Sequence, residues 1–399
     1  MDKRAFVRFK YFVTPLVILS WQIVSADRPG LFANETNNEA QQSSVRVTAK
    51  HIVDNALAGA FGVHGVDLDG DRDLDILGAA RDEDWVVWYE NDGNQNFTKQ
   101  SVSEEGGFDG PRTVQTADFD NDGDLDVVSA ALEGGEVAWW ENNGSQSFTK
   151  QEISGAGNTP AARSVFPADV DRDGDTDVIV SVRDANEIVW FENDGLGEFT
   201  RQTVSGTNTF KGAYWVHGVD LDNDKDLDVL GVARDAGEIA WFENDGTQNF
   251  TKREISGVGN FEGARAVYPA DLDGDGDVDV VGAAGDAGQI SWWRNDGQQS
   301  FVKQDLTEPG AFEGARSVTA ADLDGDGDVD VMGAAREGSE VAWWLNNGNG
   351  EFTKQQISNL AGDVDGPYGS DLADVDSDGD LDVLAADQFD NDVVWWEMQ

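Results

Sequence analysis

The chain has 399 residues and a formal net charge of -51, with 78 acidic against 27 basic side chains. So acidic a surface repels nucleic acid and anionic membranes and attracts cations. Hydrophobic residues make up 39% and aromatics 10%, which excludes a disordered acidic tail, and the lack of cysteine excludes a disulfide framework while leaving the compartment open.

The first residues address that compartment. Lys3, Arg4, Arg8 and Lys10 precede a mostly apolar run over 11–24, and Val24-Ser25-Ala26 offers small residues for cleavage before Asp27. Residues 1–26 read as a secretory signal peptide, with an apolar run short for a membrane span. A secreted protein, extracellular or at the cell surface, with no membrane span after cleavage is expected. Residues 27–44 are rich in Asn, Glu, Gln and Ser and read as a flexible linker. Residues 45–53 alternate as a strand does.

A repeat then takes over. Five aspartates at alternate positions of a nonapeptide begin at Asp67, Asp118, Asp169, Asp220, Asp271, Asp322 and Asp374, at five intervals of 51 residues and a last one of 52. A fixed period of about fifty residues signals a propeller or solenoid. In the sixth copy, 317–323 leads into the aspartate loop, 330–335 leaves it, 340–346 carries Trp343-Trp344, and 352–358 alternates apolar and polar, with turn residues between. Four short antiparallel strands per period describe one blade of an all-β, seven-bladed β-propeller over 45–399.

Two further registers agree. Trp88, Trp139, Trp190, Trp241, Trp292, Trp343 and Trp395 each lie 21 residues after their loop start, and each is followed by a second aromatic. Strand neighbours point to opposite faces, so each pair would fill two layers between blades; the alternative is an exposed sugar-stacking platform. The last copy stops after its third strand. Residues 45–53 resemble a fourth and would complete the last blade, closing the ring and removing two free sheet edges.

The loop Asp-x-Asp-x-Asp-Gly-Asp-x-Asp supplies hard oxygen ligands at positions one, three, five and nine, with the aspartate at seven or a carbonyl completing the set. Such a flexible oxygen cage suits calcium better than magnesium. The candidate ligands are Asp67, Asp69, Asp71 and Asp75; Asp118, Asp120, Asp122 and Asp126; Asp169, Asp171, Asp173 and Asp177; Asp220, Asp222, Asp224 and Asp228; Asp271, Asp273, Asp275 and Asp279; Asp322, Asp324, Asp326 and Asp330; and Asp374, Asp376, Asp378 and Asp382. This allows about one Ca2+ per blade, up to seven, with a structural role; a solvated acidic turn without metal is the alternative. Position six needs a left-handed backbone, which explains glycine in five copies. Arg72 and Lys225 stand there in copies one and four, whose sites should be weaker or strained.

The loop followed by Asp330-Val331-Met332-Gly333-Ala334-Ala335 resembles the FG-GAP/VCBS repeat, the calcium-loop propeller repeat also found in integrin alpha-subunit heads. The resemblance covers essentially 45–399. It implies a seven-bladed calcium-bearing propeller that binds proteins or glycans, and it implies no reaction.

With the loops on one rim, the opposite rim collects two rings of residues. Six positions before each loop stand Phe61, Arg112, Arg163, Tyr214, Arg265, Arg316 and Tyr368, and beyond the second strand Arg81, Leu132, Arg183, Arg234, Gly285, Arg336 and Asp387. Arginines gathered near the axis suggest a multivalent site for carboxylated or sulfated sugars or an acidic protein segment. Alternatively each pairs with a local acid, as Asp184 beside Arg183 could. The expected protein is a monomeric, non-catalytic binding or adhesion module for a glycan or an extracellular protein. The alternative is a secreted polysaccharide lyase or hydrolase. Against it, the period admits no inserted catalytic loop, His64 and His217 hold the same repeat position, and no Ser nucleophile elbow or Cys nucleophile is present.

Overall fold

The computed structural model describes residues 46–357 and 364–399. The expected leader and linker lie outside them. Four-stranded blades arise because each repeat gives four short segments of alternating or β-branched sequence, cut by Gly, Asn and Asp turns. In the first blade these are β2 (Ala60–Val66), β3 (Asp75–Ala80), β4 (Trp85–Asn91) and β5 (Phe97–Ser101), paired antiparallel in chain order. Six blades repeat this order, and no helix occurs among the described residues.

The seventh blade joins Pro367–Ala373, Asp382–Asp387 and Asp392–Met398 to β1 (Val47–Asp54). Val47 pairs with Met398 and His51 with Trp395. The ring therefore closes as the sequence suggests, with the closing strand one or two residues later than 45–53. In the sixth blade the strands run Ala315–Ala321, Asp330–Ala335, Glu340–Asn346 and Phe352–Gln356, close to the expected spans.

The first strand of each blade is innermost and packs against the first strands of its neighbours. The second strands, such as Asp126–Ala131, are buried at every residue. The core is seven separate apolar layers, one between each pair of blades. Each layer joins the first Trp of one blade to the second aromatic of the next: Trp88 with Trp140, Trp292 with Trp344, and across the closure Trp395 with Tyr89. All fourteen of these aromatics are at most 2% exposed, so they form core and no sugar platform. Side amides clip blades together at one rim: Asn193 Nδ2 donates to Phe119 O at 2.8 Å and Asn346 Nδ2 to Leu272 O at 2.7 Å.

Candidate functional site

The aspartate loop links the first and second strands of each blade and folds on its own carboxylates. The backbone N–H at position six donates to the position-one carboxylate in all seven copies, from 2.9 Å at Gly276–Asp271 to 3.1 Å at Gly379–Asp374. The N–H at position seven donates to the carboxylate at five in every copy, as Asp73 does to Asp71 at 2.9 Å. Position six has φ of 85° at Arg72 and 78° at Lys225, matching 92–102° at the five glycines. The expected left-handed turn is thus present, and those two side chains adopt it against their preference. Position four is left-handed too, including Asn121, Arg172, Asn223 and Ser377. Sequence reasoning missed this; the Asn and Gly at that position were the available signal.

The position-nine aspartate is the buried root of each loop. Asp177 Oδ2 accepts from Val170 N at 2.8 Å and Oδ1 from Asn193 N at 2.8 Å, and the same pair of bonds recurs in every copy. Burial pushes these carboxyls up, to about 8 at Asp126 and Asp177 and about 7 at Asp75, Asp228, Asp279, Asp330 and Asp382, against the lowering effect of the two N–H donors. At position three, Asp120 and Asp324 are raised by burial and then by the neighbouring carboxylates. Position seven points elsewhere. A Cβ on Gly93, in the turn between β4 and β5, would lie 2.4 Å from Asp73 Oδ2, so this aspartate packs on that turn.

The loops fit a divalent cation. Carboxylate oxygens of Asp67, Asp69 and Asp71, of Asp118, Asp120 and Asp122, and of Asp169, Asp171 and Asp177 each lie within 4.8 Å of one another, as do the equivalents in other blades. The Oδ1 atoms of Asp169, Asp220, Asp271 and Asp322 are buried with no hydrogen-bond partner. An orphaned carboxylate oxygen inside a ring of like charge calls for a hard cation. The fifth loop differs. Twenty-three residues after the loop start stand Glu90, Glu141, Glu192, Glu243 and Glu397, but Arg294 and Leu345 in copies five and six. Arg294 Nε lies 2.7 Å from Asp273 Oδ2, and its Nη2 lies 3.8 Å from Asp275 Oδ2.

On the opposite rim both arginine rings converge on one pocket of about 330 Å³, lined by Phe61, Arg81, Arg112, Leu132, Arg163, Arg183, Tyr214, Arg234, Arg265, Arg316, Arg336, Tyr368 and Gln388. The cause of the inner ring is a β-bulge. Between the first and second strands the register skips Phe61, Arg112, Arg163, Tyr214, Arg265, Arg316 and Tyr368, one in each blade. A bulge re-aims a side chain and sharpens the local twist. Gly285 and Asp387 do not line the pocket. The 52-residue interval moves the equivalent position to Gln388, while Asp387 is buried and accepts from Asp365 N at 2.6 Å.

The bulge arginines are 6–9% exposed. Arg112 lies 2.8 Å from Glu133, Arg265 3.1 Å from Asp286 and Arg316 2.6 Å from Glu337. Arg81, Arg234 and Arg336 share these same acids. Arg163 bonds the hydroxyls of Tyr214 and Tyr368, and Arg265 Nη1 reaches Tyr214 at 2.9 Å. Burial raises the Tyr214 phenol, but Arg163, Arg265 and Arg316 together with Tyr368 pull it down to about 7. Burial, then the Arg163 charge, lowers Arg112 to about 10. The Nε atoms of Arg112, Arg163, Arg234, Arg265, Arg316 and Arg336 are buried without partners. Further along the axis, His64 Nδ1 lies 3.0 Å from Asp371 Oδ2. His217 packs between Phe166 and Tyr268, and burial lowers it to about 4.

Seven closed four-stranded blades with an aspartate loop in each define a repeat β-propeller. The FG-GAP-like repeat matches residues 67–129, 118–180, 169–231, 220–282, 271–333 and 330–385. The chain belongs to the FG-GAP-like repeat family. No curated protein sequence matches it. Among solved structures it is similar to virginiamycin B lyase from Staphylococcus aureus (TM-score 0.61, 10% identity, covering 88% of this chain and 99% of that one). It is also similar to BBS1N in complex with ARL6DN (TM-score 0.59, 11% identity, 88% and 96%) and to a protein from Lactobacillus plantarum (TM-score 0.57, 16% identity, 76% and 85%). At these identities the likeness is one of fold.

Proposed function

We propose that the protein is a calcium-braced, secreted or cell-surface binding module, monomeric and non-catalytic, that captures an anionic group of a glycan or extracellular protein in the arginine pocket. The observation that carries this reading is the convergence of eight arginines on one axial pocket with only five carboxylates within ion-pair distance of them among the described residues. Guanidinium charge in excess of its acids, gathered in a recess, favours a bound anion. Oxoanions match guanidinium geometry, carboxylate and sulfate included.

On the other rim, the aspartates at positions one, three and five, with nine as the buried anchor, would hold Ca2+. The ion would supply positive charge that offsets the crowded carboxylates and locks each loop. Export places the chain where calcium is plentiful, and the leader-like residues 1–26 support that location.

A second reading, polysaccharide cleavage, draws on Tyr214. A phenol brought to about 7 beside Arg163 and Arg265 has the acidity of a general base. Its oxygen is already held by two guanidinium groups and Tyr368, which favours a role in holding the arginines.

The test is an array of carboxylated, sulfated and neutral glycans probed in calcium with the parent chain and with Arg112, Arg163, Arg265 and Arg316 changed to Ala, foldedness being checked by circular dichroism. Selective binding of anionic glycans by the parent and its loss in the folded variant is expected. Equal binding by both would remove this face from consideration. Release of unsaturated uronate during incubation would instead establish the enzyme.

A further inference from the structure

The arginine pattern around the pocket is broken at one blade. In blades two, five and six the bulge arginine binds the acid fifteen residues after its own loop start, as Arg112 binds Glu133. The third blade has that acid as well, Asp184, yet Arg163 turns to two tyrosine hydroxyls. Asp184 is exposed and makes no ion pair among the described residues. A second break lies beside the first. Arg81 and Arg234 reach the acid of the following blade. By that rule Arg183 would take Asp235, which binds Arg234 instead. Arg183 lines the pocket, is half-buried, and has no ion pair or side-chain hydrogen bond among the described residues.

Charge counting sharpens this. Eight arginines line the pocket, and five carboxylates, Asp82, Glu133, Asp235, Asp286 and Glu337, lie within ion-pair distance of them. Three positive charges remain before any ionisation of Tyr214, and Arg163 and Arg183 are the two arginines without a carboxylate among the described residues. Positive charge gathered in a recess in excess of its carboxylates favours an anionic counter-ion. The polar wall is mostly N–H and O–H donors, with Gln388 Oε1 a buried acceptor that has no partner among the described residues. A peptide brings a backbone N–H with nearly every carbonyl, more donors than the free Gln388 Oε1 receives. A saccharide brings oxygen acceptors and an apolar ring face. Phe389 is 51% exposed, follows the lining residue Gln388, and is backed by Arg336 at 4.5 Å from its ring.

We propose that Arg163 and Arg183 form the seat for one oxoanion, carboxylate or sulfate ester, of an acidic oligosaccharide, with Phe389, on blade seven across the pocket, as the platform for another of its sugar rings. The inference rests on the anion-binding reading above and adds the seat and the ligand class.

The full chain is titrated calorimetrically in calcium with oligogalacturonate, a sulfated oligosaccharide, inorganic sulfate and hexaglutamate. Arg183→Ala and Phe389→Ala remove partly exposed side chains, and unchanged melting curves verify their folds. Arg183→Ala is expected to weaken both acidic saccharides by about tenfold or more. Phe389→Ala should weaken the saccharides and leave inorganic sulfate unchanged. The preferred saccharide distinguishes carboxylate from sulfate. If Arg183→Ala binds as the parent does while Arg316→Ala loses binding, the pocket reading stands and this seat is wrong. Hexaglutamate binding as tightly as the saccharides, insensitive to Phe389→Ala, overturns the saccharide assignment. No binding of any probe to the parent overturns both readings.

Discussion

Arg294 Nε lies 2.7 Å from Asp273 Oδ2, so the fifth loop carries a cation of its own. In five other copies the equivalent residue is Glu, which adds negative charge beside the loop. Guanidinium and a bound Ca2+ would compete for the same carboxylate oxygen. Arg294→Glu is therefore expected to raise the calcium stoichiometry by about one, or to tighten the weakest site. Calorimetric titration of chelator-stripped protein decides it; an unchanged isotherm would show that the arginine and the ion coexist.

Calcium binding should release protons at neutral pH. Burial raises the position-nine carboxyls to about 7–8 in the folded, metal-free chain, from an ordinary value of 3.8. The folded state then holds more protons than the unfolded one between those values. Metal-free stability is expected to rise as pH falls from about 8 toward 4, whereas calcium-dependent stability should fall over the same range as protons compete with the ion. Titrations in two buffers of different ionisation enthalpy would measure the protons released. Identical apparent enthalpies would contradict the prediction.

Arg72 and Lys225 hold left-handed backbone where five copies place glycine. Their N–H groups still donate to Asp67 and Asp220 at 3.0 Å, so the turn survives and the strain is local. Arg72→Gly or Lys225→Gly should stabilise the protein by about 0.5–1 kcal/mol, relief of the left-handed penalty being partly offset by the greater freedom of glycine when unfolded. A shift of the urea midpoint is the readout. Destabilisation would mean that these side chains contribute contacts of their own.

Trp395 and Tyr89 meet in the layer that β1 helps to close. Trp395→Ala should cost about 3–5 kcal/mol. Deleting residues 46–54 should do more, because it bares the edge of Asp392–Met398 and yields an aggregating product. Size-exclusion chromatography with light scattering would show this, and a soluble monomer melting like the parent would refute the closure.

The period, the blades and the closing strand were legible because each was stated seven times in the sequence, or was missing once in a way β1 could supply. Repetition also made the Trp pairs readable as layers. What could not be read was local geometry. The bulge that turns Arg163 toward the axis skips a single residue of register and leaves no signature in composition. Nor could sequence say that Arg183 would forgo Asp184, since that depends on where neighbouring blades place Arg234 and Tyr214. The displaced position at Gln388 follows from one inserted residue in the last interval, which a strict 51-residue step from Arg336 to Asp387 does not allow for.

Residues 47 and 398 pair in one sheet, and that has a consequence for the order of events in the cell. A chain synthesised from its N-terminus must keep β1 unmatched until Asp392–Met398 has been made. Six blades can assemble one after another from near-neighbour contacts, but the seventh waits on the longest loop closure in the molecule. Closure of the ring is thus withheld until the seventh blade's own strands exist, and a chain lacking Asp392–Met398 leaves β1 without its partner.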